Sequence, residues 1–159
     1  MDIYLYMTWL NGSHLIKMLI KELKVKFHHI GFVCDDINKY KLFFSPFVKD
    51  SIGLSFKDIN QNVEVEFINL IGGNRIELIQ VLNKDLYCPI KKFIERNVSG
   101  FHHLCYESDN INETLSKLKD NNYRLVSKTI NGFEGRVVSF LVPKQSPDGP
   151  LIEIISNKT

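Results

Sequence analysis

Two stretches of this chain repeat each other, and that repetition narrows the folds open to it more than any other feature. Phe27-His28-His29-Ile30-Gly31-Phe32-Val33-Cys34-Asp35-Asp36-Ile37-Asn38 lies over Phe101-His102-His103-Leu104-Cys105-Tyr106-Glu107-Ser108-Asp109-Asn110-Ile111-Asn112, with Phe, His, His, Asp, Ile and Asn in register. Further on, Arg75-Ile76-Glu77-Leu78-Ile79 lies over Leu151-Ile152-Glu153-Ile154-Ile155. The first match is offset by 74 residues and the second by 76. Two separate matches at nearly one offset mark a duplicated supersecondary unit that buries its apolar surface against its twin.

Each copy has the same coarse order. A strand carrying the His pair leads to Asp-Asp-Ile or Asp-Asn-Ile, where an acidic or amide side chain can cap a helix. The second helix spans about 112–121, with Ile111, Leu115 and Leu118 apolar. Strands are expected at Val63–Ile71, Arg75–Val81, Val137–Val142 and Leu151–Ile155, with shorter ones near Leu54–Phe56 and Leu125–Ser127. Gly72-Gly73-Asn74 and Pro147-Asp148-Gly149 supply the turns between hairpin partners. A connector from Tyr87 to Gly100, with a short helix at Pro89–Arg96, joins the copies. The reading is therefore an α+β chain of two βαβββ modules, about 25–86 and 99–157, within one domain spanning 25–159.

Residues 1–24 differ in character. Met1–Leu10 is aromatic and apolar, Asn11-Gly12-Ser13 marks a turn, and Leu15, Ile16, Leu19, Ile20 and Leu23 recur at helical spacing. The charges follow the apolar run and no small-residue cleavage site is evident, so the segment reads as an extension that packs on the domain or on a partner subunit.

Composition excludes some function classes. A net charge of +2 with no basic stripe argues against nucleic acid. No stretch is long and apolar enough to span a membrane. Cys34, Cys88 and Cys105 are odd in number and form no C-x-x-C pair, which suits buried, reduced thiols and a cytoplasmic protein.

Side chains alternate faces along a strand. His29 then shares a face with Phe27, Gly31 and Val33, and His28 with Ile30 and Phe32. Glu77 and Glu153 are each flanked by aliphatics that belong under helices, so both glutamates point the other way. A carboxylate in an apolar strand is costly to bury unpaired. Two of them, with two histidines at equivalent positions of the repeat, can be satisfied together by one divalent cation. Mixed imidazole and carboxylate ligation suits zinc, nickel, cobalt, manganese or iron. A lone strand histidine is more often structural than a ligand; the repetition of both residue types is what favours a metal site. His28 and His102 are the second-choice ligands.

These residues resemble the vicinal oxygen chelate superfamily of glyoxalases, methylmalonyl-CoA epimerases, extradiol dioxygenases and bleomycin-resistance proteins. The resemblance covers about residues 25–155 and is closest to the methylmalonyl-CoA epimerase and glyoxalase I (lactoylglutathione lyase) group. His-His-Ile-Gly at 28–31, Val-Glu-Val-Glu-Phe at 63–67 and Arg-Ile-Glu-Leu-Ile at 75–79 carry it. So do Cys-Pro-Ile-Lys-Lys-Phe-Ile at 88–94, Gly-Phe-His-His-Leu at 100–104 and Leu-Ile-Glu-Ile at 151–154. It implies a glyoxalase-like fold in which curled mixed sheets form a cup around one divalent metal ion (Zn, Ni, Co or Mn), held by His29, Glu77, His103 and Glu153. It further implies a cytoplasmic enzyme, an isomerase or lyase, that moves a proton next to a carbonyl through an enediolate. The substrate expected is an acyl-CoA or a glutathione hemithioacetal, and the family often forms homodimers. A binding or resistance protein of the same fold, without turnover, is the competing class.

By this resemblance Glu153 is both ligand and base. Epimerases place a second base in a stretch resembling Glu-x-Pro-x-Gln-Gly-Val, whereas this chain reads Phe56-Lys57-Asp58-Ile59-Asn60-Gln61-Asn62-Val63. Asp58 is the nearest carboxylate if a gap is allowed, and Lys57 takes the place without one. Glu66 is a further option: were Val63, Val65 and Phe67 to pack under the helices, Glu64 and Glu66 would open into the cup.

Overall fold

The fold is given by a computed structural model that describes residues 23–50, 55–96, 99–127, 130–131 and 135–157. The expectation for the extension therefore lies almost wholly outside the described residues; of that segment, Leu23 packs beneath the second helix-covered core.

The first half runs β1 (Val25–Val33), α1 (Ile37–Phe44), a 3-10 turn (Ser45–Phe47), β2 (Val48–Asp50), β3 (Ser55–Asp58), β4 (Val63–Leu70) and β5 (Arg75–Val81). The connector carries α2 (Lys91–Arg96). The second half runs β6 (Gly100–Ser108), α3 (Ile111–Asp120), β7 (Tyr123–Leu125), β8 (Ile130–Asn131), β9 (Val137–Pro143) and β10 (Leu151–Ser156). Both long helices begin where the sequence offers a cap. Asp36 accepts hydrogen bonds from the Asn38 and Lys39 amides ahead of α1, and Asn110 accepts from the Glu113 amide ahead of α3. Each satisfies amide donors that lack a partner in the first turn.

All these strands join one mixed sheet in the order β2-β4-β5-β1-β6-β10-β9-β7, with β3 also on β4 and β8 also on β9. β1 is parallel to β5, and β6 to β10, while β1 and β6 meet antiparallel in the middle. The order reads the same outward from that central seam in both directions, as two copies of one unit joined through their first strands require.

Helices cover one face of the sheet. α1 lies over Ile68, Ile76 and Leu78, and α3 over Leu141 and Ile154. The other face is also apolar: Val33, Val63, Val65, Phe67 and Ile79 gather in one half, and Val138 and Ile155 in the other. The connector closes the first of these clusters with Cys88 and Ile90. Between the two clusters lies a cavity of about 500 Å³.

Two details depart from expectation. β7 ends at Leu125 instead of running to Ser127, although the Val126 amide still donates to the Phe140 carbonyl of β9 at 2.8 Å. β2 is an additional short strand; it and β3 each pair with β4, dividing between them the edge expected for one strand. The β4–β5 turn uses Gly72 and Gly73 at φ of +92° and +87°, values open to glycine and strained for other residues. No described helix is long and apolar enough to cross a membrane.

Candidate metal centre

At the floor of the cavity, one histidine from each seam strand meets one glutamate from each strand flanking the seam. His29 Nε2 lies 3.1 Å from His103 Nε2. Glu77 Oε2 is 3.3 Å from His29 Nε2 and 3.2 Å from His103 Nε2. Glu153 Oε2 is 3.2 Å and 3.3 Å from the same two nitrogens. Adjacent ligands with bonds of about 2.1 Å stand roughly 3.0 Å apart at right angles and roughly 3.4 Å apart at the tetrahedral angle. The five distances fall within that span, so the donor set fits a divalent ion. A second observation agrees: Glu153 Oε2 is sealed from solvent and accepts no hydrogen bond of ordinary geometry from a described residue. Two carboxylates at one point carry two negative charges, which either two imidazole protons or one dication can neutralise.

The electrostatics follow from that crowding. Burial alone would lower the pKa of His29 and His103, but Glu153 and Glu77 outweigh it; His29 is raised, and His103 reaches about 10. Burial works the other way on Glu77 and Glu153, yet the two imidazoles hold both well below the usual carboxylate range. A pKa raised toward the working pH, the ideal for a catalytic base, is therefore not what the protein alone gives Glu153. Cys105 sits buried beside this group, and burial together with the Glu153 charge pushes its thiol pKa up.

The facing argument needs one correction. Along the seam, β1 steps from Phe27 to His29 while its partner steps from Tyr106 to Cys105, so His28 is an extra residue in the ladder. β6 mirrors this at His102, between His103 opposite Gly31 and Phe101 opposite Phe32. These are β-bulges, and they break the alternation. Both histidines of each pair consequently line the cavity. Burial and the charge of the adjacent histidine lower His28 and His102 to a pKa of about 4, so both are neutral at pH 7.

The candidates for a second base separate clearly. Asp58 lines the cavity, its oxygens accepting from the Gln61 amide and Gln61 Nε2 at 3.0 Å each. Glu66 does not. Val63, Val65 and Phe67 line the cavity instead of packing under the helices, which turns Glu66 to the helix side, where Lys41 of α1 pairs with it at 2.6 Å. Lys57, one residue from Asp58, does not line the cavity either.

Other site residues carry no role that the sequence alone assigned. Gly31 faces the His103 ring so closely that a β-carbon there would lie 2.0 Å from its Cε1. Pro89 and Ile90 bring the connector into the cavity wall, and Arg75 and Arg136 reach it from two strand ends. The arginine positions were visible in sequence, but nothing singled them out from other surface cations.

Residues 28–140 match the family described as the Glyoxalase/Bleomycin resistance protein/Dioxygenase superfamily. The human protein named "Methylmalonyl-CoA epimerase, mitochondrial" is 31% identical over 131 residues, covering 81% of this chain and 72% of that one. The "Ethylmalonyl-CoA/methylmalonyl-CoA epimerase" of Cereibacter sphaeroides is 28% identical over 132 residues, covering 81% and 96%. Among solved structures, methylmalonyl-CoA epimerase from Mycobacterium tuberculosis superposes with a TM-score of 0.70 at 19% identity, over 84% of this chain and 88% of that one. A methylmalonyl-CoA epimerase solved with methylmalonyl-CoA and NH4+ gives 0.66 at 21% identity, over 85% and 96%. At such identities the two structures speak for the fold. A duplicated βαβββ unit, a cavity centred on paired histidines and glutamates, and these sequence relatives lead to one assignment: the chain belongs to the glyoxalase/bleomycin resistance protein/dioxygenase superfamily and, within it, to the family of the methylmalonyl-CoA epimerases.

Proposed function

We propose that this chain is a divalent-metal-dependent epimerase that inverts the α-carbon of methylmalonyl-CoA or a close acyl-CoA relative. The observation that carries the reading is the convergence of His29, Glu77, His103 and Glu153 within 3.1–3.3 Å, at the floor of a cavity large enough for a small acyl group. The names of the sequence relatives support the acyl-CoA over the glutathione hemithioacetal.

When bound by these four residues, a zinc, nickel, cobalt or manganese ion supplies Lewis acidity toward a substrate oxygen on which negative charge develops. The protein's own groups do the rest. Glu153 presents Oε2 to the shared point and is anionic, which leaves Oε1 as the atom to take the α-proton. Asp58 lines the same cavity from β3 and is the proposed group that returns a proton to the other face. Its two bonds from Gln61 fix its orientation. Phe56, Val63, Val65 and Phe67 keep the space between them apolar, which strengthens each charge interaction inside it.

The test is deuterium exchange at the α-carbon of methylmalonyl-CoA in D2O, run beside a hemithioacetal assay and metal analysis of the purified protein. The expected result is exchange that stops on chelation and returns with metal. Asp58→Asn should retain exchange from one epimer while losing conversion to the other. A protein that takes up no divalent metal, or whose exchange ignores chelation, overturns the reading; turnover of the hemithioacetal alone reassigns the substrate.

A further inference from the structure

His28 and His102 stand beside the two histidines assigned to the metal, and the chemistry above gives them no role. In an unbroken strand, neighbouring side chains point to opposite faces and their rings do not meet. The bulges at 28 and 102 bring them together at equivalent points of the repeat. His28 Nδ1 lies 2.7 Å from His29 Nδ1, and His102 Nδ1 lies 2.9 Å from His103 Nδ1. The Nε2 atoms of His29 and His103 are already directed at the glutamates. A neutral imidazole that coordinates through Nε2 keeps its hydrogen on Nδ1, so Nδ1 is the donor and the neighbour's Nδ1 the acceptor.

We propose that His28 and His102 are paired positioning residues, each accepting the Nδ1–H of the adjacent metal-binding histidine and thereby fixing its tautomer and ring plane. Each then carries its own hydrogen on Nε2. A carboxylate or backbone carbonyl usually holds the far nitrogen of a metal-bound histidine. Here an uncharged imidazole does so, adding no negative charge beside Glu77 and Glu153. Packing holds the arrangement from behind: the Phe93 ring of the connector meets His102 edge-on at 5.1 Å. The inference rests on the metal reading of His29 and His103, and it replaces the view of His28 and His102 as alternative ligands.

Zinc is the probe, its affinity measured by competition with a chromophoric chelator for the wild type and for H28L, H28N, H102L and H102N. Each leucine variant is expected to lose about 10–100-fold in zinc affinity. Each asparagine variant, which keeps an acceptor oxygen, is expected to recover most of that loss. Nitrogen-resolved imidazole NMR of the zinc-loaded wild type is expected to show Nε2–H at His28 and His102, and Nδ1–H at His29 and His103; this readout needs no variant to fold. Leucine variants that bind zinc as tightly as wild type, or the opposite tautomers, overturn this proposal and leave the metal site standing. A wild-type protein that binds no zinc, nickel, cobalt or manganese overturns the metal site itself.

Discussion

Gly31 shows how little room the centre leaves. It faces His103 across the seam, and an added β-carbon would lie 2.0–2.3 Å from three atoms of that ring. The residue is glycine because of space, since its φ is not in the left-handed region. Gly31→Ala is therefore expected to push His103 off the shared point and weaken divalent-metal binding by about 10–100-fold, the scale at which disturbing the support of a metal-binding histidine acts. Overpacking should also cost about 1–3 kcal/mol of stability. Metal retained after dialysis and a thermal melt read the two effects separately. The equivalent place in the other half holds Cys105, whose side chain is accommodated, so the repeat alone did not mark position 31 as critical. Protons compete for the same histidines. With His29 raised and His103 near 10, metal entry at pH 7 must displace imidazole protons. Apparent zinc affinity should thus fall as pH drops from 9 to 6, by about tenfold per unit for each proton released. A flat profile over that range would contradict the assignment of these histidines as ligands.

At the scale of the element, β4 and β9 show which features periodicity captures. Leu141 is fully buried on the helix face of β9, against α3 and away from the cavity. Leu141→Ala is expected to cost about 2–5 kcal/mol while leaving metal affinity unchanged, as urea unfolding and chelator competition would show. Alternation along Val63-Glu64-Val65-Glu66-Phe67 correctly grouped the residues of each face. It could not say which face the helices cover, because the cavity is lined with valine and phenylalanine as well. That ambiguity is what makes Glu66 eligible as a base on sequence alone. The order of elements, the helix caps and the convergence of the four repeated residues were legible, since each rests on a local pattern. The bulges at His28 and His102 were not. They are properties of the β1–β6 pairing, and a single strand's sequence carries no mark of where its partner skips a residue.

For the molecule as a whole, the distribution of the four proposed ligands matters more than their identity. Each half contributes one histidine and one glutamate, so neither half alone can furnish the full set. An ion held by all four links β5, β1, β6 and β10, which are consecutive strands of the sheet. Binding to the folded state alone raises stability by RT ln(1 + [M]/Kd), about 2.7 kcal/mol at a hundredfold excess over Kd. That gain is not spread evenly. Parting β1 from β6 opens the middle of the sheet, and an ion bridging them adds the cost of releasing the metal to that opening. Amide hydrogens of His29, Gly31 and His103 should therefore exchange with solvent far more slowly in the loaded protein, while those of the edge strand β7 keep their metal-free rates. The antiparallel seam would then be the last part of the sheet to breathe, even though it borders the cavity that substrate must enter.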